Sequence, residues 1–130
     1  MRLIRMAYVA TAWLFLACVV VQFFLAGLGV FAGAENFELH RGFGYVFGWL
    51  TLVLLILGIA LRRGRTYIVW PAVILVLFAL QSVLVALRMD VPVAAALHPV
   101  NGLAIFLIAF AVATRSISLL AEADPQGAPS

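Results

Sequence analysis

The chain has 130 residues, of which 67% are hydrophobic and only 10% charged. Soluble domains run nearer half apolar and a quarter charged, so a mean hydropathy of +1.22 belongs to a membrane protein. The net charge of +3 is no nucleic-acid signature, because the arginines are scattered beside apolar runs, and the single cysteine, Cys18, cannot form an internal disulfide.

Four apolar runs follow in chain order, at about 7–32, 42–61, 67–87 and 99–120. Each approaches or exceeds the roughly 20 helical residues that a bilayer core requires. Backbone groups in hydrocarbon must bond within their own segment, so all four are expected to be helices. The fold class expected is an all-α four-transmembrane-helix bundle occupying residues 1–121. The remaining tail, 122–130, is polar and rich in Pro, Gly and Ala, and is expected to be disordered. A signal peptide is the rival reading of the first run. That run continues well beyond a typical apolar core of up to about 15 residues, and no clean small-residue cleavage site follows it.

The arginines set the expected orientation. Arg2, Arg5, Arg62, Arg63, Arg65 and Arg115 fall on one side of the four spans, which the positive-inside rule makes cytoplasmic. Both termini are then inside a plasma (inner) membrane of bacterial type. Arg41 and Arg88 break the bias and lie on the outer side with Glu35, Glu38 and Asp90. Both histidines, His40 and His98, are outside too.

The two halves repeat one another. Gln22 in the first run and Gln81 in the third are each followed by leucines three and six residues on, then by an outer loop and a Leu-His pair. Gly44 comes four residues after His40, and Gly102 four after His98. Leucine matches mean little in such a composition, but Gln, His and Gly in the same order mean more. Two hairpins of the same orientation would form a parallel repeat about an axis along the membrane normal. That symmetry brings His40 and His98 to one depth, facing each other across the bundle.

Opposed neutral imidazoles suit a metal with two axial nitrogen ligands, of which haem is the familiar case. Gly44, Gly48 and Gly102 would make room for a flat macrocycle on the faces carrying the histidines. Arg41 and Arg88 would meet its propionates. Gln22 and Gln81, costly in hydrocarbon unless bonded, should face the interior at the level of the ring. Taken singly, each histidine reads as an interfacial helix-end residue, His98 especially, standing before Pro99. The glutamines, taken singly, read as interhelical hydrogen-bonding residues.

The segments "VQFFLAGLGVF … LHRGFG" and "LQSVLVAL … LHPVNG" resemble one four-helix half of the heme A synthase family, over roughly residues 20–110. That family repeats a Q-x-x-L-G-G helix followed by an HR-x-x-G helix, with paired histidines on haem near the outer surface. The resemblance implies that His40 and His98 are the axial pair and that Arg41 matches the arginine after the family's histidine. The family has two such halves and a functional glutamate three residues before its first histidine, where this chain has one half and Phe37. A stand-alone haem b protein, one haem per chain, is therefore expected in place of heme A synthesis; a homo-oligomer would rebuild the eight-helix assembly.

Six-coordinate iron has no open position for substrate, so the expected function is electron transfer between a membrane quinone and an outer redox partner. The alternatives are a non-catalytic accessory subunit of a larger membrane complex and a haem-delivery protein. A small multidrug-type transporter would need an acid within a span, and all five acids lie in loops or the tail. A copper site from His40, His98 and Glu38 lacks the Cys or Met clustering common in such sites.

Overall fold

The computed structural model describes residues 1–121, and these are helical apart from short connections, with no strand among them. The tail at 122–130, expected to be disordered, lies outside the described residues. α1 (Arg2–Phe31) is 30 residues long and begins five residues before the apolar run does. Arginine ends a hydropathy run but is a good helix former, so Arg2 and Arg5 extend the helix beyond the apolar core. α1 stops ahead of Gly33, whose φ of 132° is open only to glycine without strain.

A single 3₁₀ turn (Ala34–Asn36) leads into α2 (Phe37–Phe47), which also starts earlier than the apolar pattern does. His40 therefore sits inside a helix instead of ahead of one. α2 passes into α3 (Trp49–Ala60) through a bend at Gly48. There the Thr51 amide bonds the Gly48 carbonyl at 3.1 Å, and the Thr51 hydroxyl donates to the same oxygen at 2.7 Å. A glycine with a Thr back-bonding into the ladder is a recognised cause of helix bending. The Phe78 ring packs into the space that Gly48 leaves.

α3 stops two residues ahead of Arg62, which adopts a left-handed φ of 50° in the manner of a helix-terminating residue. α4 (Thr66–Ala86) contains Pro71, and a short α5 (Pro92–Ala95) begins on a proline. α6 (Leu97–Ser116) and α7 (Ser118–Ala121) complete the described chain. Pro99 is the third residue of α6, where the missing N–H would have had no intrahelical partner. The fourth span is thus interrupted at Ala96 and Ile117, where the sequence reading expected one helix over 99–120.

The helices form a ring in which α1 packs on the α2–α3 arm and on α6, while α4 packs on α3 and α6. α1 and α4 are diagonal, as are the α2–α3 arm and α6. Apolar residues at helical spacing on α1 (Tyr8, Ala12, Phe15, Val19) meet Phe47, Leu54, Ile74, Ile105 and Ala109 in the centre. Phe47 packs edge-on to Phe78 with ring centroids 5.2 Å apart, and Phe15 lies 5.6 Å from Phe47.

Large apolar side chains also cover the outside, among them Phe24, Val46, Trp49, Val76 and Leu103. In water such a surface would drive aggregation; in a bilayer it faces lipid. Four segments, Arg2–Phe31, Ala34–Ala60, Thr66–Ala86 and Pro92–Ala121, are long and apolar enough to cross a membrane.

Candidate functional site

His40, in the second turn of α2, and His98, in the first turn of α6, occupy diagonal helices at one end of the bundle. Their ring centroids are 6.0 Å apart and the rings cross at 68°. The separation is that of ordinary edge-to-face ring contacts in this bundle, such as Phe15 and Phe78 at 6.2 Å, and it would also leave room for an atom bonded to both rings. Two metal–nitrogen bonds of about 2 Å each, with the half-width of each ring, add to about 6 Å.

Each ring is oriented by the same kind of bond. His40 Nδ1 lies 3.1 Å from the Gln22 backbone carbonyl, 18 residues away, and His98 Nδ1 lies 3.3 Å from that of Gln81, 17 residues away. A carbonyl oxygen only accepts, so each Nδ1 carries a proton, and a neutral ring so held keeps its lone pair on Nε2. This is the arrangement by which ligating histidines are commonly held, the second nitrogen donating to a carbonyl.

The glutamine side chains are arranged less symmetrically. Gln22 Nε2 donates to the His40 carbonyl at 2.8 Å and approaches His40 Nε2 at 3.5 Å, the outer limit of a hydrogen bond. Gln81 Oε1 accepts from Asn101 Nδ2 at 2.8 Å, and the same amide group donates to the Leu77 carbonyl at 2.8 Å. In the first half Phe43 stands where the second has Asn101, three residues after the histidine. Gln22 Oε1 is accordingly buried with no partner among the described residues.

The site glycines separate into two groups. A methyl on Gly44 would come within 2.8 Å of Gln22 Nε2, and one on Gly102 within 3.2 Å of Gln81 Nε2. Both glycines therefore face the glutamine amides beside the histidines. Gly48 instead faces Phe78 and serves the bend. Arg41 is exposed and paired with Glu38 at 2.5 Å, and Arg88 is exposed and donates to the Val85 carbonyl at 3.4 Å. Neither guanidinium lines the space between the histidines.

That space is a cleft of about 90 Å³ lined by Gln22, His40, Gln81 and His98, with Val19, Phe23, Ala26 and Pro99 as its apolar walls. Ligand pockets usually hold about 300 Å³ or more. A macrocycle enters only if the two glutamine amides leave the surfaces of Gly44 and Gly102. Among the described residues no three His, Cys, Asp or Glu side chains are gathered. Glu38, considered as a third copper ligand, is instead paired with Arg41 on the exposed side of α2.

Asn101 is the polar residue that sequence reasoning passed over. It is 9% exposed near the start of the fourth apolar run, and a buried amide in a span was the available signal. The backbone carbonyls of Gln22 and Gln81 carried no signal, since any residue supplies one. Asn101→Leu is expected to cost about 1 kcal/mol, two interhelical hydrogen bonds averaging about 0.6 kcal/mol each in membranes. Unfolding titrated with sodium dodecyl sulfate measures it.

DUF6220, described as a family of unknown function, matches residues 22–87. The chain belongs to this family. The DUF6220 match begins at Gln22 and takes in His40, Arg41, Gly44 and Gln81, but ends before His98. No curated protein and no solved structure matches the chain.

Proposed function

We propose that this chain is a multi-pass membrane protein that binds one haem b between His40 and His98 and carries electrons. One observation carries the reading: two imidazoles on diagonal helices, 6.0 Å apart, each with Nδ1 against a glutamine carbonyl. Each ring then offers Nε2 across the axis. The repeated Gln, His and Gly supports two parallel hairpin repeats about that axis, each hairpin supplying one ligand. The resemblance to one half of the heme A synthase family points the same way.

Bound haem would supply one-electron iron chemistry without an open coordination position. The chain's own residues would orient the two imidazoles, keep bulk water out with Val19, Phe23 and Pro99, and admit the ring edges where Gln22 and Gln81 now cover Gly44 and Gly102. Arg41 and Arg88, at the same end of the bundle, are the available partners for propionates once Arg41 exchanges Glu38 for them. A quinone in the bilayer and an outer acceptor are the proposed redox partners. The arginine-rich end faces the cytoplasm and the histidines the outer side of an inner membrane, on the positive-inside rule.

A second reading is favoured by the small cleft and by the Gln22 amide beside His40 Nε2. In it the chain is an accessory subunit of a membrane complex, or holds haem only in passing during delivery. Purification after haem supplementation separates these readings. A stable ratio of one haem per chain is the expected result. A correctly folded, colourless protein, or one that releases its haem to an apo-acceptor on mixing, contradicts the electron-carrier reading.

A further inference from the structure

A second cavity lies at the opposite, arginine-rich end of the bundle, where Tyr8 of α1, Tyr67 and Trp70 of α4 and Ala111 and Arg115 of α6 meet. It holds about 200 Å³, more than twice the space between the histidines. Tyr8 is 1% exposed and forms the floor, its ring edge-on to Tyr67 with centroids 5.6 Å apart. The wall along α6 is apolar, from Leu107 and Ile108 to Val112, and opens outward where Leu107 is 57% and Trp70 40% exposed. This cavity and the histidine cleft share no lining residue, so the two are separate.

The polar groups here are unbalanced. The Tyr8, Tyr67 and Thr66 hydroxyls, the Trp70 indole and the Arg115 guanidinium are all able to donate, and among the described residues no carboxylate lines the cavity. Among the described residues none of the five groups has a side-chain hydrogen-bonding or ion-pair partner. A ligand that fits brings acceptor oxygens and negative charge at the arginine end, and a long apolar part along α6. Free phosphate supplies only the first. A neutral quinone leaves the guanidinium without a counter-charge.

We propose that this cavity is a binding site for an anionic phospholipid, its phosphate on Arg115 and the tyrosine hydroxyls and one acyl chain along Leu107 and Ala111. Basic recesses between membrane helices at the positively charged end hold acidic headgroups for the same electrostatic reason. Tyrosine and tryptophan sit naturally at headgroup depth. α1, α4 and α6 all border the site, so the lipid bridges the two diagonal helices and α6, which packs against both.

The full chain is purified in detergent, stripped of lipid, and given dioleoyl phosphatidylglycerol or dioleoyl phosphatidylcholine. Lipid retained per chain is read by native mass spectrometry and the unfolding temperature by circular dichroism. One phosphatidylglycerol per chain with a raised unfolding temperature is expected, and neither effect with phosphatidylcholine. Arg115→Gln should weaken retention about tenfold, the loss of one charge-assisted contact. Ala111→Phe, which fills the acyl path and leaves the charge, should weaken it as well. Arg2→Gln, which removes a charge from the same end outside the cavity, should retain lipid as the unaltered chain does. Equal retention of the two lipids, equal retention by Arg115→Gln, or the same stabilisation by glycerol 3-phosphate alone would each overturn the proposal.

Discussion

His40→Ala and His98→Ala are each expected to lower haem content at least tenfold and to remove the six-coordinate spectrum from whatever haem remains. Each histidine would supply one of two axial bonds, and among the described residues no third His, Cys, Asp or Glu is gathered there to replace it. The effect should be no smaller than that of removing a group that only orients a ligand, for which the loss in metal affinity starts at about 10-fold. Haem per chain, measured beside the helical circular-dichroism signal, separates ligand loss from misfolding. Added imidazole should restore part of the six-coordinate spectrum by filling the space the side chain leaves. Full haem content in both alanine variants would show that haem, if it binds, binds elsewhere.

Gly58→Ala is expected to be the most damaging small substitution in the fold. Pro71 has no N–H for the Tyr67 carbonyl one helical turn earlier, so that oxygen lacks its usual partner within α4. Gly58 of α3 packs directly against it, and an added methyl would overlap the Tyr67 carbonyl oxygen. The glycine hydrogen that the methyl would replace therefore points at the oxygen, a weak C–H···O contact of a kind common where membrane helices approach closely. The neighbour is backbone and cannot swing aside, so α3 and α4 must separate along their length. A cost of about 3 kcal/mol, at the upper end for overpacking, follows. Gly27→Ala and Gly42→Ala meet open space and are the controls, expected to be neutral or stabilising by up to about 1 kcal/mol. Equal unfolding midpoints for Gly58→Ala and Gly27→Ala would refute the close-approach argument.

Hydropathy alone located all four spans, because lipid requires long apolar helices and little else in a sequence resembles one. It misjudged where they begin. Arg5, Glu38 and His40 end apolar runs without ending helices, since helix propensity continues through charged residues at the interface. The break at Ala96 and the bend at Gly48 depend on local hydrogen bonding that apolar periodicity does not record.

At the site, the order Gln, His, Gly pointed to residues that the fold brings together, because one-letter patterns preserve side chains placed in register. Gly48 shared a helix face with His40 in that reading but packs on Phe78, a partner from a distant helix that the spacing could not reveal. The bonds that orient the imidazoles run to main-chain oxygens, so no side-chain identity encoded them. Asn101 was visible as a polar residue in a span, yet without a counterpart in the first half the repeat gave no reason to single it out.

The central claim is that His40 and His98 clasp a haem from opposite sides. Its most direct test is the visible absorbance spectrum of the detergent-purified, haem-supplemented protein, recorded oxidised and then after dithionite. A Soret band that sharpens on reduction, split visible bands and no change on adding carbon monoxide are expected of two nitrogen ligands with no open position. A spectrum identical to that of free haem in the same detergent, or a reduced form that binds carbon monoxide stoichiometrically, would contradict it.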